Sequence, residues 1–459
     1  MLRAADIWGI ILLYLCASVV VAHLFTRLTR ARRRQQTFRF RALIGLISSL
    51  LGLAIWLVPS GHVYSLLVML CVPLPMGVVV YSLFALMVAT IRRRRAWHSA
   101  THLLAATTVT AAGIAGTWLL TVPGPFTQAD QSMDLASADG WPEDRLMPAF
   151  VRAEELGSLG VVVIHHGKVV LQWGDTAKVT DSHSVRKSIL SVLIGIAVHK
   201  DLMDLELTLE HLGVDDKNPP LTTAERQATV EDLLTARSGI YHPYVGDEEG
   251  NSPAPGSHGP GTYFYYNNWD FNTLGAVFER ETGYTIGQAL REWIAEPIGM
   301  QDYREEHVIY ERFPLPNASY YPAYKIWIST RDLARFGLLM ARDGQWGGRE
   351  IVPATWIKKS TTAHTHSNRF GYAHSWWRSI GYPTWLSDEM FFATGTAGQK
   401  LLIDPKHQLV ATHRTDTRKG LVRGFFMAFG QHVNNEQFLS LTRRILGACP
   451  KTALDCPTL

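Results

Sequence analysis

Between Ser184 and Lys200 the chain reads SVRKSILSVLIGIAVHK. After its first turn this segment is apolar on nearly every side. Wound as a helix, it has no face to offer to water, so it must lie in the middle of a folded domain. The chain is long enough for that. Its 459 residues allow one large domain or two to three smaller ones.

The surroundings of this helix mix two periods. Gly160–Gly174 (GVVVIHHGKVVLQWG) holds two apolar strands about a turn at His166-Gly167-Lys168, which predicts a β-hairpin. Helical patterns follow near Trp269–Thr282 and Thr330–Arg342. Strand patterns follow near Met390–Thr394, Lys400–Ile403 and Leu409–Arg414. Strands at both ends with helices between them predict an α+β domain whose sheet is built from distant parts of the chain.

The first 125 residues read differently. Ile7–Phe25 is a run of 19 residues without Asp, Glu, Lys or Arg; Ala42–Val58 has 17, Val63–Ile91 has 29 and Ala100–Val122 has 23. A helix crossing the hydrocarbon core needs about 20 apolar residues, and about 17 suffice. All four runs qualify as membrane spans. Residues 1–126 carry twelve Arg and no Lys against one acidic residue, Asp6; the remainder has 32 Lys and Arg against 39 Asp and Glu. The Arg residues bracket the apolar runs instead of forming one face of a soluble domain, which argues against nucleic-acid binding. Seven of them fill the first loop, between Arg27 and Arg41, and four fill the third, at 92–95; the second loop, Pro59–His62, has none. By the positive-inside rule the first and third loops are cytoplasmic, so everything after Val122 lies outside.

The expected layout is a four-helix transmembrane region at 1–125, a linker at 126–147, one large folded domain at 148–447 and a tail at 448–459. The location expected is the inner (cytoplasmic) membrane, multi-pass, with the bilayer as partner and the large domain on the periplasmic or extracellular side. Cys449 and Cys456 in the tail then lie in an oxidising compartment, where they form either a disulfide or two free thiols.

Ser184 and Lys187 stand three residues apart at the start of the buried helix. That spacing stacks them one turn apart on one face. A serine hydroxyl is a weak nucleophile until a base accepts its proton. A lysine serves as that base only with a depressed pKa, which burial and neighbouring cations such as Arg186 provide. The free N–H groups of a helix N-terminus also stabilise an oxyanion. Alone, an S-x-x-K spacing is common, and an N-capping Ser followed by a surface Lys reads the same way.

The company the pair keeps makes it specific. SVRKSILSVLIGIAVHKDLMDLELTLEHL resembles the S-x-x-K helix of the serine β-lactamase and penicillin-binding-protein family, which includes class C β-lactamases, D-Ala-D-Ala carboxypeptidases, related esterases and 6-aminohexanoate-dimer hydrolases. DLLTARSGIYHP (232–243) resembles the family's next segment. PGTYFYYNNWDFNTLGAVFERETG (260–283) resembles its Tyr-x-Asn region, and STRDLARFGLLMARDGQW (329–346) the helix after it. Counting back from Leu274-Gly275, the matching pair is Tyr266 and Asn268; Tyr265 and Asn267 repeat the spacing one step earlier. The resemblance covers about residues 145–445, in order. It implies an antiparallel sheet flanked by helices with a helical subdomain. It implies Ser184 as nucleophile, Lys187 as its base, Tyr266 as second member of the proton shuttle and Asn268 as holder of the substrate amide.

The third family motif departs from the pattern. Where relatives carry Lys-Thr-Gly or His-x-Gly, this chain has Ala393-Thr394-Gly395, followed by Thr396-Ala397-Gly398-Gln399. Gly395 lets substrate lie close to the strand, and the N–H of Thr396 completes an oxyanion hole with that of Ser184. The positive charge is missing, with Lys400 or Arg414 as possible substitutes. This weakens the case for β-lactams and D-Ala-D-Ala termini. Trp376 and Trp377 fit a cleft lining and a core equally well. His364-Thr365-His366 has a metal-like spacing but reads better as a solvated loop. The function expected is hydrolysis of an ester, amide or short peptide bond in a small-molecule or peptide substrate, with no metal or cofactor. A weakly catalytic module that binds cell-wall peptides or penicillins is the alternative.

Overall fold

The computed structural model describes Leu135 and residues 141–217, 219–244, 252–312, 319–366, 370–379, 385–416 and 433–449. The four apolar runs and Cys456 lie outside these. Among the described residues no helix is long and apolar enough to cross a membrane. Cys449 is disulfide-bonded.

An eight-stranded antiparallel sheet organises the domain. Its strands are β1 (Gly160–His165), β2 (Lys168–Gly174), β8 (Thr365–His366), β9 (Phe370–Tyr372), β10 (Trp377–Ser379), β11 (Phe391–Gly395), β12 (Gln399–Asp404) and β13 (Leu409–Arg414), in the spatial order β2-β1-β13-β12-β11-β10-β9-β8. The first hairpin and the last three-strand meander, predicted from separate ends of the sequence, pair directly along β1 and β13, from Gly160 opposite Arg414 to His165 opposite Leu409. All six residues of β1 are buried. The reason is a core on each face. Val162 and Ile164 join one, Val161 and Val163 the other. A strand covered on both sides reads as an unbroken apolar run, as GVVVI does.

One face is covered by α1 (Glu143–Glu155) and the C-terminal helix α7 (Asn435–Gly447), through Leu146, Ala149, Phe438, Leu441 and Ile445. Helix α1 begins inside the stretch read as linker. Its Pro142 and Pro148 and its charged face disguise a narrow apolar stripe, Leu146, Ala149 and Ala153, that is buried. The folded domain therefore starts at or before Glu143, not at 148. The other face carries α5 (Thr330–Ala341), whose Gly337 lies so close to the sheet that a Cβ there would stand 2.6 Å from Val410 and 2.8 Å from Leu401. Beside it is the long apolar helix α2 (Val185–His199), with every residue from Val185 to Ala197 buried. Burial of each of its large apolar side chains contributes about 1.5–3 kcal/mol. Gly195 admits the ring of Trp356 from α6 (Ala354–Thr361); a Cβ there would stand 2.2 Å away.

The helical part is completed by α3 (Val230–Leu234) and α4 (Asn268–Thr282). Short strands β3 (Thr180–Asp181), β4 (Val308–Glu311) and β5 (Ala323–Ile328) form a second sheet, and β6 (Gln345–Trp346) with β7 (Arg349–Glu350) a small hairpin.

Candidate active site

Ser184 sits at the N-cap of α2, the last residue before the helix. Its side chain makes no cap hydrogen bond. Its Oγ lies instead 3.1 Å from Nζ of Lys187, one turn along. The same Nζ lies 2.6 Å from Oη of Tyr266. Lysine thus bridges the serine and the tyrosine.

Tyr266 stands just before Asn267, the N-cap of α4, and its place is fixed by its neighbours. The N–H of Tyr265 donates to Ala236 O, and Asn267 caps α4 by accepting from the N–H of Asp270. Tyr266 packs among Phe271, Tyr372 and Trp377, with ring centres 5.1, 5.8 and 5.6 Å away. Tyr265 turns elsewhere, against Tyr241. The two Tyr-x-Asn registers are therefore distinguished in space, and Tyr266 is the one that meets Lys187.

The electrostatics divide the labour. Burial, and then the adjacent Arg186 guanidinium, hold the Lys187 amine well below its usual pKa. The ring faces of Tyr266 and Phe271, 4.2 and 4.5 Å from Nζ, favour the cation, but desolvation outweighs them. Tyr266 moves the other way: burial pushes its hydroxyl up to about 12, against the pull of Ser184 and Arg186. The lysine is shifted towards the neutral form that can accept a proton, and the tyrosine towards the form that keeps one. Arg186 is itself buried, bonded to Asn272 Oδ1 and stacked 4.1 Å over the Tyr324 ring.

Across from α2 the wall is strand β11 and the turn after it. A cleft of about 380 Å³ is lined by Ser184, Tyr266, Trp377, Thr394–Gly398, Lys400, Val433 and Asn434. It brings together Ser184, Tyr266, Gly395 and Thr396. Asn268 is not among its lining residues; it starts α4 and is half-buried. Gly395 is required by a close approach, since a Cβ there would stand 2.5 Å from Ser182 O and 3.1 Å from His183 Cβ. The strand is pressed against the turn that presents Ser184. Ala393 points away into the core beside α2 and is 1% exposed.

A buried lysine lies on the next strand. On β12, Lys400 pairs across the strands with Thr394. Its Nζ lies 2.6 Å from Thr394 Oγ1 and 2.7 Å from Asn435 Oδ1 at the start of α7. Burial lowers its pKa to about 8. Arg414 takes no part in the cleft. It is wholly buried and donates to Ile328 O, Thr180 O and Asp181 O, tying the two sheets together. The adjacent tryptophans also divide: Trp377 lines the cleft, while Trp376 packs against Phe391 in the core. Sequence reasoning left Lys400 unplaced, because its position follows from the register across the turn at 396–398. There Ala397 and Gly398 adopt φ of 63° and 91°.

Comparison with known proteins identifies the family and the fold. The model of the Beta-lactamase family matches residues 144–425. A family VIII carboxylesterase of known structure superposes with a TM-score of 0.50 at 17% identity, over 68% of this chain and 99% of that one. A 6-aminohexanoate-dimer hydrolase homologue from Bacillus anthracis gives 0.49 at 18%, over 69% and 87%. A penicillin-binding-protein homologue from Caulobacter crescentus gives 0.49 at 16%, over 68% and 99%. No functionally curated protein matches by sequence. The family match spans well over half of the chain, and the chain belongs to the beta-lactamase family, whose members are serine hydrolases.

Proposed function

We propose that the protein is a membrane-anchored acyl hydrolase that cleaves an ester, amide or short peptide bond through an acyl-enzyme on Ser184. The observation that carries this reading is the buried Lys187 amine, 3.1 Å from Ser184 Oγ and 2.6 Å from Tyr266 Oη. Neutral Lys187 takes the proton as Ser184 Oγ attacks the carbonyl carbon. The backbone N–H groups of Ser184 and Thr396 receive the oxyanion. As the tetrahedral species collapses, Tyr266 passes a proton to the leaving group, and Lys187 restores it. Water then repeats the sequence on the acyl-enzyme. Lys400, beside Thr394, gives the cleft the cation that position 393 lacks, which favours substrates carrying an anionic group. The four N-terminal apolar runs would hold this domain at the outer face of the cytoplasmic membrane.

The test is to treat the purified full-length chain with a fluorophosphonate and, separately, with a labelled penicillin, and to locate adducts by mass spectrometry. A fluorophosphonate adduct on Ser184 is expected. A penicillin adduct on Ser184 as well would extend the substrates to β-lactams. Folded protein that takes neither label would remove Ser184 from the role of nucleophile.

A further inference from the structure

Behind the catalytic tyrosine, and outside the cleft, three side chains from three elements converge. Glu231 lies on α3, His364 just before β8 and His374 between β9 and β10. The carboxylate and both imidazoles each offer one ligand atom, and these atoms all lie within 4.8 Å of one another. His374 Nε2 lies 2.7 Å, and His364 Nε2 4.0 Å, from Glu231 Oε1. The rings stand edge to face with centres 4.6 Å apart.

The backbone holds all three in place. The N–H of His364 donates to Tyr372 O, that of His374 to Ser360 O and that of Glu231 to Leu205 O. Helix α3 is fixed at its start by a reciprocal cap between Thr229 and Asp232. The His374 ring is fully buried, and its Nδ1 has no partner. Glu231 and His364 keep 22% and 31% of their side chains exposed, so the cluster opens to solvent on one side. Two imidazoles and one carboxylate with an open position form a set that suits Zn²⁺. Bonds of about 2.0–2.2 Å require ligand atoms roughly 3.4 Å apart. The observed spacings straddle that value, so small side-chain rotations suffice.

We propose that Glu231, His364 and His374 bind a divalent transition-metal ion, Zn²⁺ by ligand type, which clips α3 to the end of the large sheet behind Tyr266. The clip would have a structural role. Next to His374, Ser375 donates its N–H to Leu234 O on α3 and accepts at its own carbonyl from Ser188 Oγ on α2. Tyr372, two residues before His374, packs on Tyr266. Lys359 is the competitor. Its Nζ lies 3.3 Å from Glu231 Oε2, and its side chain, 45% exposed, is free to swing into solvent when a cation arrives. Arg237 is the other cation acting on His364.

The experiment uses the full-length chain in detergent, stripped with chelator and titrated with Zn²⁺ alone. Bound metal is measured by mass spectrometry, stability by thermal unfolding, and coordination by the visible absorption of the Co²⁺-substituted protein. Wild type should bind one Zn²⁺ at micromolar or lower concentration, melt several degrees higher with it, and show the strong bands of a four- or five-coordinate Co²⁺ site. His364→Ala, at the most exposed ligand, should fold, melt near wild type without metal, and lose both the bands and the thermal gain. Glu231→Gln should weaken binding by about tenfold or more. Lys359→Met should tighten it, because the competing ammonium is gone. The proposal is overturned if folded wild type binds no Zn²⁺, or if His364→Ala binds it as well as wild type does.

Discussion

The two walls of the cleft are built on different principles. On the helical wall, Ser184 and Lys187 are neighbours because a helix puts residues three apart on one face, and Tyr266 is delivered to them by the cap of α4. Local geometry dictates the Ser184–Lys187 pair, and tertiary packing of α4 adds Tyr266 to it. On the sheet wall nothing local dictates where the charge sits. Position 393 is an alanine turned into the core, and the cation we propose in its place is Lys400, one strand over. The contrast shows which part of such a site is free to vary. The Ser184–Lys187 pair depends on helix spacing, whereas the position of Lys400 depends on the register that pairs it with Thr394, on the face of β11 opposite to Ala393.

That difference ranks the expected effects of substitution. Lys187→Met should cost about 10²–10⁴ in kcat/KM towards every substrate, since removal of the base affects every acylation. The folded protein should keep its circular dichroism, because methionine fills the same buried space without the amine. Gly395→Ala should come next. Its Cβ would be driven against Ser182 O at 2.5 Å, so either β11 or the turn holding Ser184 must shift. A displacement of that kind costs about 10²-fold in acylation, which single-turnover kinetics would read with little loss of the fold.

Lys400→Met should have the smallest and most selective effect. KM for an ester with an anionic acyl group should rise about tenfold, as expected for a lost charge-assisted hydrogen bond. KM for a neutral ester should barely move. The charge at Lys400 is present below pH 8 and lost above it, so wild-type KM for the anionic ester should rise as pH passes 8. A Lys400→Met enzyme should lack that rise. Equal losses on both esters would put Lys400 among the structural residues and erase the contrast between the walls.

The sequence was more informative about one wall than the other for the same physical reason. The apolar helix α2, the hairpin β1–β2 and the helix α4 are local patterns, and all stand within a residue or two of where their periodicity puts them. Strands β8 to β10 have two or three residues each and are too short to show alternation. They hold their place by pairing in series, β10 on β11, β9 on β10 and β8 on β9, and through the Trp376 and Tyr372 side chains. Helix α1 was hidden by its prolines and charges. The histidines make the point most clearly. Spacing along the chain draws the eye to His364 and His366, but the fold of β8 onto β9 brings His364 to His374, ten residues on. Contacts set by strand register cannot be counted off along a sequence.

The central claim is that a neutral, buried Lys187 activates Ser184, with Tyr266 keeping its proton. The most direct measurement is the rate at which a neutral fluorophosphonate labels Ser184 as a function of pH. Burial and Arg186 lower the lysine pKa, so the rate should climb as pH rises through a value well below that of an ordinary lysine. It should then stay level through pH 10, since Tyr266 holds its proton to about 12. In Lys187→Met the climb should vanish and leave a slow rate. A wild-type rate that rises only near the pKa of an exposed lysine, or one unchanged in Lys187→Met, would contradict the account.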